Sequence, residues 1–179
     1  QKKDTSTLFR KHLIENITDF ANNISIPLYE SDIETISSRI YESSDMFILG
    51  TSYTEHISSE GSLKIKELTY IHSESYSIGE LKHGPLSLIC DNIPIIYFCL
   101  KNNDNSKLRS SLSETKIRGS INILITDLTN NELDSYIDNE NVDYVLFIPY
   151  FDLLSPLVSI IPIQLLSYSI AIKKGINPD

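Results

Sequence analysis

A chain of 179 residues is long enough for one ordinary domain with its own core, and a content of 41% apolar and 22% charged residues is typical of a globular protein. The net charge of −9 argues against nucleic acid as a partner, because phosphate backbones require a basic face, and it argues equally against an anionic membrane surface. A small phosphorylated ligand stays possible, since local charge matters more than the sum.

The first 43 residues are predicted to form a helical connector arm. Leu13 and Ile17 repeat at helical spacing, and Pro27 is predicted to end that helix because proline cannot continue the backbone hydrogen bonds. Nothing in residues 1–43 resembles a catalytic constellation. We therefore take residues 44–179 as the functional domain.

From residue 46 onward, short apolar runs alternate with longer polar, periodic stretches. The apolar runs are rich in β-branched and aromatic residues, which favour strands, and the polar stretches have the length of helices. Apolar strands separated by helices predict a parallel sheet covered on both faces, the three-layer doubly wound α/β class. The predicted strands are 46–49, 93–100, 121–126 and 142–148, and the predicted helices are 57–72, 104–118, 131–138 and 153–174.

One stretch, 153–172, carries no charged residue over a length that could span a bilayer. Serine and glutamine side chains interrupt it, as do Pro156 and Pro162, and a lone span with that polar load would insert poorly. We therefore predict a buried helix that covers the sheet or forms a subunit contact, and no membrane partner.

Metal and nucleotide sites find no support in the sequence. Cys90 and Cys99 offer neither metal-ligand spacing nor a disulfide framework. Cys99 lies in a strand-like apolar run, which indicates a reduced structural thiol and fits a cytoplasmic protein. His72 and His83 lack Cys or Asp partners at metal-ligand spacing, and no GxGxxG or P-loop motif occurs.

Three charged residues of the predicted helix 57–72 share one helical face. Glu60, Lys64 and Glu67 fall at i, i+4 and i+7. A carboxylate held beside a lysine can act as a general base, because proton transfer needs a positioned acceptor with a tuned pKa. A solvated face with an i,i+4 ion pair has the same spacing and is the more common meaning of this pattern.

Two loops offer further candidates. His83 lies in the turn-rich segment 79–85, where a histidine can give and take protons near neutral pH; an exposed histidine without a role fits equally well. Thr51 and Ser52 follow the first predicted strand and precede a helix, where hydroxyl and amide groups can hold a phosphate. The alternative is a simple Ser/Thr cap on that helix.

Several of these residues lie in segments that closely resemble one family, the glutamine–fructose-6-phosphate aminotransferases, in the second of their two SIS (sugar isomerase) domains. The Glu-Leu-Lys-His-Gly-Pro block at 80–85 is the most specific of these segments. The resemblance covers roughly residues 45–179, and the helical arm suits the connector between the two SIS halves. The matching segments are Glu60–Glu67, Tyr70–Glu74, Gly79–Leu86 and Ile160–Tyr168.

The resemblance implies a homodimeric enzyme that makes glucosamine 6-phosphate from fructose 6-phosphate and ammonia, without a metal or an organic cofactor. Glu67 matches the family's base, which moves a proton between C1 and C2 of the open-chain sugar, and Lys64 matches the lysine beside it. His83 matches the histidine that opens the sugar ring, donated across a dimer interface. Substrate binding is assigned to three further residues: Glu60, Thr51 and Ser52.

Departures from the family limit what we expect of this chain alone. The glutaminase domain, the first SIS half with its phosphate-gripping loops, and the lysine-bearing tail have no counterpart in the sequence. The glutaminase domain and the first SIS half of the same full-length enzyme are therefore the expected partners. Gly50-Thr51-Ser52-Tyr53 replaces the family's usual Gly-Arg-Gly. We expect weak sugar-phosphate binding and no synthase activity from the isolated chain. The alternative is a non-catalytic SIS module that senses a sugar phosphate or mediates dimerisation. A further alternative is another enzyme on the same fold, a deglycase or a sugar-phosphate isomerase, which would differ from the first proposal only in its substrate.

Overall fold

A five-stranded parallel sheet organises the protein, for which a computed structural model describes residues 2–23 and 30–178. Pro27, the predicted end of the first helix, lies outside the described residues. The strands in chain order are β1 (Asp45–Gly50), β2 (His72–Ser77), β3 (Pro94–Cys99), β4 (Ile121–Thr126) and β5 (Tyr144–Phe147). Their order across the sheet is β2-β1-β3-β4-β5, and every neighbouring pair is parallel.

Helices cover both faces of this sheet, which confirms the predicted three-layer doubly wound class. The α-helices are α1 (Lys2–Asn23), α2 (Glu30–Ile40), α3 (Thr54–Thr69), α4 (Leu108–Ile117), α5 (Asn130–Leu133) and α6 (Ser155–Lys173). The described residues also contain three 3₁₀ helices, at Ile78–His83, Pro85–Leu88 and Asn139–Asn141.

Two apolar cores lie on opposite faces of the sheet. On one face, Ile65 of α3 and Ile163 of α6 pack with side chains of α2 and the strands. On the other face, Leu112 of α4 packs with Leu81 of the first 3₁₀ helix. Helix α2 contributes Ile36 to the first core, so this second helix of the predicted arm packs into the domain. The boundary between residues 43 and 44 stays a prediction.

Strand β2 was not predicted from the sequence, and the prediction that placed His72 on a helix is wrong. Helix α3 ends at Thr69 because Tyr70 takes a left-handed conformation with φ of 58°, and its N–H bonds back to the Lys66 carbonyl at 3.2 Å. The His72 N–H then donates to the Ser44 carbonyl at 2.9 Å and begins the new strand. Strand β2 lies at the sheet edge with one neighbour, so its sequence carries no apolar run.

The uncharged stretch 153–172 is confirmed as a helix that covers the sheet, since α6 packs against both α3 and α2. Val158 and Ile163, on the inner side of α6, are fully buried. Among the described residues α6 is the one helix long and apolar enough to cross a membrane by length and composition, and half of its most apolar window is buried.

The first helix, α1, touches the domain at few points. His12 Nε2 lies 2.9 Å from Oδ2 of Asp152, and Phe20 meets Phe151 edge to face with ring centroids 5.7 Å apart. These contacts fasten α1 to the loop that follows β5.

Candidate functional site

Helix α3 carries most of the candidate residues and is held closely against its neighbours. The Ser62 hydroxyl donates to the Ser73 carbonyl of strand β2 at 2.7 Å. Gly61 faces α6 so closely that a Cβ there would lie 2.9 Å from Cδ1 of Ile163. These contacts fix both the rotation of α3 about its own axis and its distance from the sheet. The side opposite Ser62 and Ile65 is therefore presented outward.

That outward side carries Glu60, Lys64 and Glu67, which we call the charged row. Lys64 Nζ lies 2.9 Å from Oε2 of Glu67 and 3.6 Å from Oε1 of Glu60. Its side chain is 29% exposed and the two carboxylates are about half exposed. The hydrogen bond to Glu67 is the main cause that raises the pKa of the Lys64 ammonium, and partial burial opposes it. The row therefore offers two open carboxylates that share one cation.

His83 does not join this row within one chain. It is the exposed last residue of the 3₁₀ helix Ile78–His83, whose Leu81 is buried in the core on the sheet face opposite Ile65. The neighbouring Lys82 pairs with Glu114 of α4 at 2.5 Å and fastens this segment to that second face. His83 and Glu67 thus belong to opposite layers, although both elements flank the edge strand β2.

Thr51 and Ser52 lie in the loop between β1 and α3, where the Thr51 hydroxyl is already engaged. It donates to the Asp104 carbonyl at 2.8 Å and accepts from Asn103 Nδ2 at 3.0 Å, so it ties two loops together at the carboxyl edge of the sheet. Thr54 Oγ1 accepts from the Thr51 N–H at 2.9 Å. Ser52 is exposed and has a left-handed φ of 51°.

Glu67 and the Thr51 loop lie at different ends of α3, with Glu60 between them at about 9 Å from Thr54 along the axis. At about 1.5 Å of rise per residue, Thr54 and Glu67 are separated by roughly 20 Å along the helix axis. An extended hexose phosphate spans on the order of 9 Å from C1 to phosphorus, given carbon–carbon bonds of about 1.5 Å. The distance along α3 from the Thr51 loop to Glu67 is therefore about twice the length of one sugar phosphate.

A buried polar cluster surrounds Asp127 at the carboxyl edge of the sheet, and it was not predicted from the sequence. Asp127 is 8% exposed, and its Oδ1 accepts from the Lys101 N–H at 2.7 Å. Burial is the main cause that raises the pKa of its carboxyl. Burial, with Asp127 nearby, also raises the pKa of Tyr53 and of the Cys99 thiol to about 12 each, so that thiol is unreactive. The signal in the sequence was an acidic residue directly after the strand 121–126.

No set of three His, Cys, Asp or Glu side chains among the described residues is arranged to hold a metal ion. His72 instead pairs Nδ1 with Oδ1 of Asp45 at 3.0 Å, at the amino end of β2.

Comparison with known proteins identifies the family to which this fold belongs. A match to the SIS domain spans residues 39–174. The chain belongs to the SIS domain family. Among solved structures, this SIS domain is similar to the C-terminal domain of glucosamine-fructose-6-phosphate aminotransferase from Francisella tularensis, with a TM-score of 0.75 and 36% identity over 84% of this chain and 42% of that one. The sugar isomerase domain of an RpiR transcription factor from Sphaerobacter thermophilus shares the fold, with a TM-score of 0.66 at 16% identity over 96% of this chain and 91% of that one.

Several curated relatives of this SIS domain are named glutamine–fructose-6-phosphate aminotransferase (isomerizing). The protein from Methanothermobacter thermautotrophicus is 36% identical over 84% of this chain and 25% of its own length. A probable member from Acanthamoeba polyphaga mimivirus is 45% identical over 74% of this chain and 21% of its own length. The chain thus spans about a quarter or less of the length of these relatives.

Proposed function

We propose that this SIS domain is the second isomerase half of an enzyme that makes glucosamine 6-phosphate from fructose 6-phosphate and ammonia. The observation that carries the proposal is the charged row, in which Lys64 bridges Glu60 and Glu67 on an outward helix face. The 36% identity to the Francisella domain supports the reaction class, because both chains share the fold at that level of similarity. We expect the enzyme to be cytoplasmic, with ammonia delivered by a glutaminase domain.

In this proposal Glu67 is the general base. Isomerisation moves a proton between two adjacent carbons about 1.5 Å apart, so one carboxylate on a rigid helix can serve both. Lys64 stabilises the negative charge that develops on the sugar oxygens, and Glu60 binds substrate from the other side of the ammonium. Ammonia adds to the C2 carbonyl of the open-chain sugar and water leaves to give the imine, after which the proton moves from C1 to C2; this sequence needs no metal or organic cofactor.

The proposed ring-opening histidine, His83, comes from a second copy of the chain. This is supported by the placement of His83 and Glu67 in opposite layers that both flank strand β2. A two-fold axis beside the β2 edge would bring each His83 to the partner's charged row. The large apolar side chains exposed near this edge fit such a contact: Leu63 at 42%, Tyr70 at 76% and Leu88 at 58%.

The phosphate of this substrate must be held from outside the chain, by the first isomerase half of the full enzyme. Thr51 and Ser52 are too far from Glu67 to bind the other end of the same molecule. We retain both residues as a binding loop only for a separate sugar phosphate. Glu60 stays within the proposed site, because Lys64 connects it to Glu67.

The test is a chimera in which this chain replaces the segment that it matches in the Francisella domain, assayed with fructose 6-phosphate and ammonia. Glu67→Gln should lower the turnover number by at least about 100-fold, the scale of general-base catalysis, while glucosamine 6-phosphate still binds in a calorimetric titration. Glu15→Gln on α1 is the matched control and should change neither. Full turnover with Glu67→Gln would instead favour a non-catalytic, sugar-phosphate-sensing module.

A further inference from the structure

Helices α3 and α6 end side by side, and a lysine connects their carboxyl ends. Helix α3 ends at Thr69 and α6 ends at Lys173. The ammonium of the next residue, Lys174, donates to the Thr69 carbonyl at 3.0 Å. The carboxyl end of a helix leaves carbonyl groups without helical partners and carries a partial negative charge of about half an elementary charge. Lys174 therefore brings a cation to the place where two such ends meet.

The turn that ends α6 holds Lys174 in place. Gly175 has a φ of 69°, a conformation that favours glycine, and its N–H donates to the Ile172 carbonyl at 3.0 Å. The N–H of Ile176 donates to the Ala171 carbonyl at 2.9 Å, which completes the hydrogen bonds of a Schellman motif. Partial burial lowers the pKa of the Lys174 ammonium, which agrees with a side chain laid against the protein. The backbone of Lys174 is thus fixed between the helix and this turn.

The adjacent lysine, Lys173, has a different partner. Its Nζ lies 2.5 Å from Oε1 of Glu34 on α2. Two consecutive lysines at the end of α6 therefore reach two different helices. Because they differ in partner and not in residue type, Lys173 is the matched control for Lys174.

The turn that Lys174 contacts carries the proposed base. Glu67 lies two residues before Thr69, in the last turn of α3. A carboxylate in this position is disfavoured by the negative end of the helix, and a cation at the same end offsets that effect. The bond to the Thr69 carbonyl also keeps the last turn wound, so that Glu67 stays 2.9 Å from the Lys64 ammonium.

We propose that Lys174 is a positioning residue for the general base: its ammonium caps the carboxyl end of α3, keeps the turn that bears Glu67 in place and offsets the negative charge of the helix end there. The inference rests on the proposed function, since that function gives Glu67 the role of base. Lys174 lies outside the charged row and binds a backbone carbonyl, so it acts through α3 and not on the substrate.

The pH dependence of turnover tests the proposal, in the chimera with the Francisella domain. Lys174→Met should move the acidic limb of the turnover number to higher pH by roughly 0.2–0.7 pH unit, the scale of one charge at a helix end, because the base keeps its proton more tightly without the cation. The Michaelis constant for fructose 6-phosphate should stay unchanged. Lys174→Arg should restore the wild-type limb, and Lys173→Met should leave it in place. An unmoved limb in Lys174→Met, or an equal move in Lys173→Met, would overturn the proposal.

Amide hydrogen exchange in the isolated chain provides a readout that needs no turnover. The Tyr70 N–H, bonded to the Lys66 carbonyl at 3.2 Å, closes the last turn of α3. Its exchange should become about two- to fivefold faster in Lys174→Met, because the turn loses its cap, and should keep its rate in Lys173→Met. Equal exchange rates in Lys174→Met and the wild type would also overturn the proposal.

A failure of the proposed reaction is distinguishable from a failure of this positioning role. Full turnover with Glu67→Gln would refute the proposed base. Loss of turnover in Glu67→Gln together with an unmoved limb in Lys174→Met would refute the role of Lys174 alone.

Discussion

The Nζ atom of Lys64 lies 2.9 Å from Oε2 of Glu67, and the same ammonium reaches Glu60 at 3.6 Å. Exposed pairs of this kind contribute little to the free energy of unfolding, so stability alone is a weak reason for the arrangement. Its chemical consequence is larger, because one cation orients two carboxylates on a helix that is fixed against the sheet.

Replacing the cation separates these two roles. Lys64→Met should leave the free energy of unfolding almost unchanged, since the side chain is partly exposed and Met keeps its apolar stem. In the chimera it should lower turnover by at least about tenfold, because the developing charge on the sugar loses its stabilising group. Urea unfolding and steady-state kinetics measure the two effects. Lys66→Met, on the side of α3 that faces away from Lys64, is the matched control; equal loss of turnover in both variants would contradict the assigned role.

The apolar strands were predictable because burial on both faces leaves a continuous signal. Strand β3 has every residue buried, and its prediction at 93–100 brackets the observed Pro94–Cys99. Strand β2 has a free edge and partly exposed side chains, so its polar sequence gave no such signal. The ends of helices were also predicted inaccurately. Helix α4 begins at Leu108 rather than at residue 104, and only one turn, Asn130–Leu133, occupies the predicted helix 131–138.

The charged row was predictable from spacing, since i, i+4 and i+7 positions share a face in any α-helix. The relation of His83 to that row was not, because it depends on β2 and on the side of the sheet to which the chain then crosses. Asp127 was missed for a different reason. Its burial follows from loops that come together only in the folded protein.

The buried carboxyl of Asp127 should make the protein less stable as the pH rises. Burial raises its pKa above the ordinary value of 3.8, while the Ser155 hydroxyl and the Lys101 N–H lower it in part. A raised carboxyl pKa means that the folded state holds its proton more tightly, so stability is lost as pH rises from 3.8 through the folded pKa. Asp127→Asn should therefore melt at a higher temperature than the wild type at pH 7, and the difference should vanish below 3.8. Calorimetry across this range checks the sign; a lower melting temperature at pH 7 would contradict it.

Glu132 should show the opposite pH dependence. Its carboxylate accepts hydrogen bonds from the Thr129 N–H at 2.9 Å and from Lys101 at 3.1 Å, and these lower its pKa to about 2, with the Thr129 N–H as the larger cause. The stabilisation is present above the ordinary pKa of 4.5 and is lost as pH falls from there to about 2. Glu132→Gln should therefore be less stable than the wild type at pH 7, and the two should converge in acid. Urea unfolding at several pH values measures this, and Glu140→Gln is an exposed control. A gap that persists at pH 2 would show that the charge is not its cause.

Two glycines determine how closely α3 can approach its neighbours, and they should respond differently to the same change. A Cβ at Gly50 would lie 2.5 Å from the Thr54 carbonyl oxygen and 2.6 Å from Ser58 Oγ, and the helix backbone cannot retreat without moving the charged row. Gly50→Ala should therefore lower the free energy of unfolding by about 1–3 kcal/mol, the usual cost of overpacking. At Gly61 the nearest atom is the terminal Cδ1 of Ile163, which can rotate away, and alanine favours helix by up to about 1 kcal/mol. Gly61→Ala should consequently change stability by less than about 1 kcal/mol. Denaturant unfolding of both variants tests the contrast, and equal costs would mean that α3 is not held against β1 at Gly50.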